Sequence, residues 1–267
     1  MARKCDDDSD VRDIMEEFIE CNLHPSPHED RFACWRNTTV CVCLITKTKP
    51  TDGDDLILVE RNEPGGLHAE EILLKRIKEN GYPGDAKIKL FLSYSPCNDE
   101  GHKCSTLLKE LHCLFKQATI KFSGFYYIKR PSCISYGKCY CKTTNADSFP
   151  KLLELGASPI EKKDWDELIW MLTECDKQMQ GKDETHTFSA LNTIRSGEWY
   201  GEWRDWEDKR MMEDYNKMRD DELQSGIPRR RDVPPPGQPP RQPPLQEKGE
   251  TAADMLAGKL DSVHVGN

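Results

Sequence analysis

The stretch LHAEEILLKRIKENGYPGDAKIKLFLSYSPC, residues 67–97, contains one helix, one strand and two short polar motifs. Apolar residues at helical spacing predict a helix over residues 67–80, which the turn GYPGD at residues 81–85 ends. Residues 88–94 (IKLFLSY) predict a strand, because branched and aromatic side chains dominate this segment. A helix followed directly by a strand is a typical unit of an α/β sheet.

Further strands and helices extend this unit in both directions. Upstream, the pattern predicts an amphipathic helix at residues 11–22 and a β-hairpin with arms at residues 39–47 and 55–60. Downstream, it predicts helices at 104–118, 149–156 and 164–175, and strands at 120–128 and 157–161. The predicted fold class is therefore α/β, with a central mixed five-stranded sheet covered by helices.

Composition divides the chain into four parts. Residues 1–30 hold ten acidic and three basic residues and form an acidic N-terminal segment with the first helix. Residues 31–180 form the α/β domain, and residues 181–226 a charged, Trp-rich helical extension that docks on the domain or binds a partner. Residues 227–267 are Pro-rich and predict a disordered tail, either merely solvated or bound by an SH3- or WW-type domain.

Overall composition argues against several classes of protein. The chain is 32% charged and 36% hydrophobic, with a net charge of −9, which disfavours nonspecific coating of DNA. No apolar run approaches the roughly 20 residues that span a bilayer, and the N-terminus lacks the apolar region of a secretory signal. We therefore expect a cytoplasmic or nuclear protein, or both, with no membrane contact. Its 12 cysteines should be mostly free thiols and metal ligands rather than a disulfide framework.

Two motifs at predicted helix starts carry residues suited to metal chemistry. His68, Cys97 and Cys104 provide one imidazole and two thiols, and three protein ligands with an open fourth position are typical of catalytic zinc. Glu70 lies two residues beyond His68, where a carboxylate can reach the open side of the metal and transfer a proton. His102 is an alternative third ligand. We expect Cys104 instead, because the helix restarts directly behind it.

These motifs, followed by Gly124-Phe125-Tyr126-Tyr127, resemble the zinc-dependent AID/APOBEC polynucleotide cytidine deaminases over roughly residues 10–175. The resemblance implies a cytidine deaminase-like fold and a Zn²⁺ cofactor. It also implies hydrolysis of cytosine to uracil in single-stranded DNA, or alternatively RNA, as in DNA-editing mutator or innate-immune enzymes. Glu70 would take the proton from the attacking water and return it to the departing ammonia.

The same resemblance assigns substrate contacts. Ser95 and Tyr94, which stands where the family usually has Trp, would form a wall of the cytosine pocket. Tyr126 falls on the position that stacks on the base, with Tyr127 as the alternative if neighbouring residues face opposite sides of a strand. The remaining implied substrate-binding residues are Asn62, which would contact the nucleotide sugar, and Ala69.

Two features depart from the family pattern. Six residues separate Cys97 from Cys104, where the family has two to four. The loop after the fourth strand is long, so the family's sequence-context preference does not transfer. In this loop Lys129 and Arg130 either hold phosphates or form a solvated turn. Its three cysteines either bind a second, structural zinc or are idle thiols: Cys133, Cys139 and Cys141.

Two alternative functions remain at the level of sequence. The first is the same reaction on free cytidine or its monophosphate, which the acidic net charge favours. The second is a zinc-stabilised, noncatalytic interaction protein that acts through its Trp-rich helix and Pro-rich tail.

Overall fold

A mixed sheet of six strands organises the fold in the computed structural model. The strands are β1 (Arg3–Cys5), β2 (Val40–Thr46), β3 (Asp55–Arg61), β4 (Lys87–Leu92), β5 (Gln117–Phe122) and β6 (Ser158–Pro159). They lie in the order β1-β3-β2-β4-β5-β6. The structure describes residues 3–5, 10–23, 40–47, 55–82, 84–98, 101–126, 128, 130–132, 148–179 and 202–226.

Helices cover both faces of this sheet. They are α1 (Asp10–Leu23), α2 (Ala69–Asn80), α3 (Cys104–Leu107), α4 (Leu111–Leu114), α5 (Ser148–Leu155), α6 (Lys162–Met179) and α7 (Glu202–Gly226), with a 3₁₀ turn (Leu108–Glu110) between α3 and α4. The predicted α/β class, a mixed sheet covered by helices, is confirmed. None of the described helices combines the length and the apolar composition that crossing a membrane requires.

The directions of the strands determine where the functional motifs meet. β2 pairs antiparallel with both β3 and β4, whereas β4, β5 and β6 run parallel to one another. Residues that follow parallel strands emerge at the same edge of a sheet. Ser93–Cys97, after β4, and Ser123–Tyr126, after β5, therefore lie side by side.

Alternating residues of the strands divide the core into two layers. Cys43 and Leu90 face the layer that includes α2, α5 and α7, whereas their neighbours Val42 and Phe91 face α1 and α6. The largest buried side chain of the second layer is Trp165. At roughly 25 cal/mol per Å² of apolar surface, these two layers supply the main driving force for folding.

Strand β5 differs from the sequence prediction, which extended it over residues 120–128. The strand ends at Phe122, and the Ser123 hydroxyl donates to the Ser93 carbonyl over 2.7 Å. Gly124 then lies so close to Tyr94 that an added Cβ would be 3.3 Å from two ring carbons. Because the chain leaves the sheet here, Tyr126 lies in a loop, and strand alternation does not decide which way it points.

Three other elements depart from the predictions. Strand β1 was not predicted, because three residues are too short for a periodic signal; it pairs with β3. The helix predicted over residues 104–118 ends at Leu114 and is interrupted by the 3₁₀ turn. Cys175 is disulfide-bonded and is thus an exception among cysteines that were expected to be mostly free thiols or metal ligands. The described free cysteines are Cys41, Cys43, Cys97, Cys104 and Cys113.

Helix α7 lies within the region predicted as a Trp-rich extension. Its Met211 is buried, and the Tyr215 hydroxyl donates to the Ala157 carbonyl over 2.9 Å. Trp206, in contrast, is 45% exposed. The four predicted domain boundaries stay predictions, and the Pro-rich tail at residues 227–267 lies outside the described residues.

Candidate active site

Three potential metal donors converge at the edge of the sheet where β4 ends. His68 is the N-cap of α2, Cys97 lies in the loop after β4, and Cys104 is the first residue of α3. His68 Nδ1 lies 3.4 Å from each Cys sulfur, and the two sulfurs are 3.5 Å apart. Tetrahedral zinc, with bonds of about 2.3 Å to sulfur and 2.0 Å to nitrogen, places its donors roughly 3.5–3.8 Å apart. The three side chains therefore fit a zinc ion.

The protonation of the two thiols depends on a neighbouring cation. The hydrogen bond with Cys97, together with burial, raises the pKa of Cys104 well above its usual range, and the charge of Glu70 adds to this. Two thiolates in contact repel each other, so this pair needs a cation before both can ionise.

Glu70 is the second residue of α2, two residues after His68, and is buried, with 2% of its surface exposed. Burial raises its pKa to about 7, although its hydrogen bonds act in the opposite direction. Its Oε2 has no hydrogen-bond partner among the described residues. A buried carboxylate oxygen without a partner is costly for the fold and available for a substrate or a water molecule. A neighbouring zinc ion would favour its ionised form, which accepts a proton.

His102, the alternative ligand, is engaged elsewhere. Its Nδ1 lies 2.7 Å from Glu71 Oε2, and its ring stacks on His68 with centroids 3.8 Å apart. Glu71 Oε2 also accepts the backbone N–H of His68 over 2.8 Å. The set of His68, Glu71 and His102 is thus a second cluster of possible donors, but Glu71 holds its members together without a metal. The geometry favours Cys104 as third ligand, and the assignment stays a prediction.

Two tyrosines form an aromatic wall in the segments that follow β4 and β5. Tyr94 and Tyr126 meet edge to face, with ring centroids 6.2 Å apart, and both are half-buried. The Ser95 hydroxyl accepts the backbone N–H of Tyr126 over 2.9 Å, and the Ser95 N–H donates to the Gly124 carbonyl over 2.7 Å. Ser95 therefore positions Tyr126 directly. Tyr127 lies outside the described residues.

The other two predicted substrate residues have structural contacts. Asn62 Oδ1 accepts the backbone N–H of Ala69 over 2.8 Å, which satisfies a donor in the first turn of α2. Ala69 itself is completely buried in the core. Sequence analysis missed this contact, because Asn62 lies seven residues before Ala69 and not at the N-cap position, where Asn is a known signal. The substrate contacts of Asn62 and Ala69 stay predictions.

The proposed phosphate contact of Arg130 is wrong. Arg130 is 9% exposed, and it forms salt bridges with Asp214 and Glu207 of α7. Sequence analysis missed this partner helix. A signal was present, because Glu207 and Asp214 are seven residues apart, on the same helix face as the buried Met211. Lys129 and the three loop cysteines at residues 133, 139 and 141 lie outside the described residues.

Comparison with known proteins identifies the domain that holds the donors. Residues 37–126, about a third of the chain, match a family described as Xanthomonas-like deaminase. This segment contains His68, Glu70, Cys97, Cys104 and Tyr126. No curated protein matches the chain.

The chain is also weakly similar to a solved structure. The crystal structure of the Rib2 deaminase of Aspergillus oryzae, a C-terminal deletion mutant, is 16% identical. The match covers 57% of this chain and 84% of that one, with a TM-score of 0.33, which is too low to carry an argument. The sequence match and the site geometry thus support a resemblance to deaminases in general: residues 37–126 are similar to the deaminase family.

Proposed function

We propose that this protein is a zinc-dependent deaminase that hydrolyses cytosine to uracil in single-stranded DNA, with RNA as the alternative polymer. One observation carries the proposal. Three metal donors lie 3.4–3.5 Å from one another, beside a buried carboxylate oxygen that has no partner among the described residues. This combination favours a catalytic zinc site over a structural one, because a structural zinc site normally has four protein ligands.

The chain's residues divide the reaction between them. His68, Cys97 and Cys104 would hold zinc, which when bound acts as a Lewis acid and makes water a nucleophile at neutral pH. Hydrolysis adds water at C4 of cytosine and releases ammonia. Glu70 takes a proton from the attacking water at Oε2 and returns it to the departing amino nitrogen. Its burial keeps it from bulk water, so the same proton is available for both transfers.

The aromatic wall supports a nucleobase as substrate. Tyr94 and Tyr126 are half-buried and in contact with each other, and Tyr94 precedes the candidate donor Cys97 by three residues. C4 of a base is not accessible inside a stacked duplex, so the target must be unpaired or flipped out. Stacking on an aromatic side chain replaces the lost stacking within the nucleic acid, at roughly 1–3 kcal/mol per base.

A second candidate, deamination of free cytidine or its monophosphate, has an observation in its favour. The chain carries a net charge of −9, and Asp214 and Glu207 neutralise Arg130, one of the two basic residues expected near the polymer backbone. Phosphate contacts supply much of the affinity for a nucleic acid. A free nucleoside needs none of them.

Measurement of uracil formation from three substrates tests the proposal. The purified protein is incubated with a cytosine-containing DNA oligonucleotide, the matching RNA and free cytidine, and we expect turnover to be highest on the DNA. Turnover highest on free cytidine would select the second candidate. Absence of uracil from all three would leave the noncatalytic interaction protein.

A pair of variants on α2 separates catalysis from scaffold effects. Glu70→Ala should reduce turnover by about 10²–10⁴-fold while zinc content is retained. Glu79→Ala removes a carboxylate from an exposed position on the same helix and should leave turnover unchanged. Full activity of Glu70→Ala would contradict the assigned role.

A further inference from the structure

The segment that follows β5 is bound to α7 by a buried ionic cluster. Arg130 Nε donates to Asp214 Oδ2 and its Nη1 donates to Glu207 Oε1, each over 2.7 Å. Asp214 is 4% exposed, so this pair is shielded from solvent. Hydrogen bonds between charged groups are stronger and more directional than neutral ones. The cluster therefore holds Arg130 in one position relative to α7.

A second residue of the segment reinforces this attachment. Ser132 donates its backbone N–H to Asp214 Oδ1 over 2.9 Å and its hydroxyl to Asp214 Oδ2 over 2.6 Å. Arg210 Nε in turn donates to the Ser132 hydroxyl oxygen over 3.0 Å. Asp214 thus accepts three hydrogen bonds from two residues of one segment, with both of its oxygens in use.

The energetic cost of burying charges suggests that this cluster orients the segment after β5 more than it stabilises the fold. Burial of a guanidinium costs several kcal/mol, and apolar residues of the same size often stabilise a fold equally well or better. Arg130 also lowers the stability of the fold, because its Nη2 is buried with no hydrogen-bond partner among the described residues. What the cluster adds is a defined position of Arg130 and Ser132 relative to α7.

The segment held in this way carries the aromatic wall. Tyr126 lies four residues before Arg130, a span of at most about 14 Å. At the β5 end, Ser95 accepts the N–H of Tyr126. Beside Tyr126, the Phe125 ring packs 5.2 Å from Phe122 and lies 6.0 Å from the Arg130 guanidinium. Loss of the attachment at Arg130 would remove one of the contacts that hold this segment, and Ser95 and the packing of Phe125 would remain.

We propose that α7 is a positioning element of the active site: Asp214 holds Arg130 and Ser132, so that the segment after β5 keeps Tyr126 edge to face with Tyr94. The proposal rests on the proposed function, because it assumes that Tyr126 contacts the target base. It assigns α7, which lies outside the segment that matches the deaminase family, to substrate binding rather than to the exterior of the fold.

A double-mutant cycle on the full-length protein tests this coupling. Asp214→Asn alone should raise KM for the DNA oligonucleotide about tenfold, with a smaller change in kcat, because it removes binding rather than chemistry. If Asp214 acts through Tyr126, the same substitution made in Tyr126→Ala should change kcat/KM by less than about twofold. Zinc content should stay at about one ion per chain in all four proteins.

Asp208→Asn is the matched control. Asp208 is also a buried carboxylate of α7, and it accepts hydrogen bonds from Arg204 of the same helix and from Trp165 Nε1 of α6. Its substitution should lower the melting temperature but leave KM unchanged in both backgrounds. An Asp214→Asn variant that behaves in the same way would overturn the proposal.

A milder variant keeps the test valid if Asp214→Asn does not fold. Ser132→Ala removes one hydroxyl from a half-buried position and should raise KM about threefold, again only when Tyr126 is present. Ser225→Ala, near the exposed end of α7, should change nothing. Equal effects of Ser132→Ala with and without Tyr126 would refute the coupling. Lack of turnover in the unmodified protein would instead refute the proposed function.

Discussion

Helices α2 and α7 are held in the fold by different means. α2 buries a continuous apolar face with Leu73, Leu74 and Ile77, and it presents the candidate catalytic groups at its first turn. α7 buries charged as well as apolar residues, among them Asp214, which pairs with a residue 84 positions earlier. The candidate proton-transfer residue thus lies two residues from a candidate donor, whereas the proposed placement of the substrate wall depends on a pair far apart in the chain.

This difference predicts two kinds of effect from amino-acid substitutions. Changes at the first turn of α2 and its metal partners should abolish the reaction whatever the substrate. Changes at the face of α7 should weaken binding of the base and leave the metal in place. The variants below test this division, from the largest expected effect to the smallest.

Cys97→Ser should have the largest effect. The variant should lose the zinc ion, about one per chain, and unfold at a lower temperature, because metal binding is coupled to folding. Elemental analysis and thermal denaturation measure both. Cys113→Ser, at an exposed free thiol, is the control and should retain both metal and activity. Unchanged metal content in Cys97→Ser would disprove the proposed site.

His102→Ala tests which residue, Cys104 or His102, is the third zinc ligand. His102 stacks on His68 and is bound by Glu71, so its loss should weaken zinc affinity by about 10–100-fold without removing a ligand. Competition with a chelator measures the affinity. At saturating zinc the variant should be active, whereas Cys104→Ala should bind no zinc. The reverse result would make His102 the third ligand.

Tyr126→Ala tests the wall without touching the metal. Loss of stacking worth 1–3 kcal/mol should reduce turnover on the oligonucleotide by about tenfold or more. Tyr126→Phe should be mild, because the ring remains. Steady-state kinetics and melting temperature of both variants, and of Tyr127→Ala, identify the stacking residue. If Tyr126→Ala and Tyr127→Ala are both folded and fully active, the polynucleotide substrate is disfavoured.

Asp164→Asn should have the smallest effect on the site, since it concerns a buried carboxylate of α6. Burial tends to raise the pKa of Asp164, but hydrogen bonds from Lys89 and from the Glu161 backbone outweigh it and hold the pKa below its usual value. A carboxyl group with a lowered pKa stabilises the fold at neutral pH, and this contribution is lost as the pH falls through that pKa.

Thermal denaturation at several pH values checks this expectation. Asp164→Asn should lower the melting temperature by about 5 °C at neutral pH, and the gap to the unmodified protein should close below about pH 4. Asp205→Asn, on the exposed side of α7, should match the unmodified protein throughout. A gap that is constant with pH would mean that the charge of Asp164 contributes nothing.

Several features could be predicted from sequence because they depend on local chemistry. β-Branched residues, turn residues and helical spacing are local signals, so the hairpin of β2 and β3 and the helix after His68 were predicted correctly. The candidate donors also follow from residue type, since an imidazole and two thiols at helix starts are typical zinc ligands. The short distances among His68, Cys97 and Cys104 agree with that interpretation.

Only the tertiary structure decided the rest, because it depends on contacts between residues far apart in the chain. The end of β5 at Phe122 results from the approach of Gly124 to Tyr94, which no local propensity encodes. Arg130 appeared exposed from its polar, Pro-flanked neighbours, yet the fold buries it against Asp214. The sequence by itself therefore indicated which residue types suit the proposed chemistry. The long-range pairing of charges decided where Arg130 lies, since a charge is buried only where its partner lies.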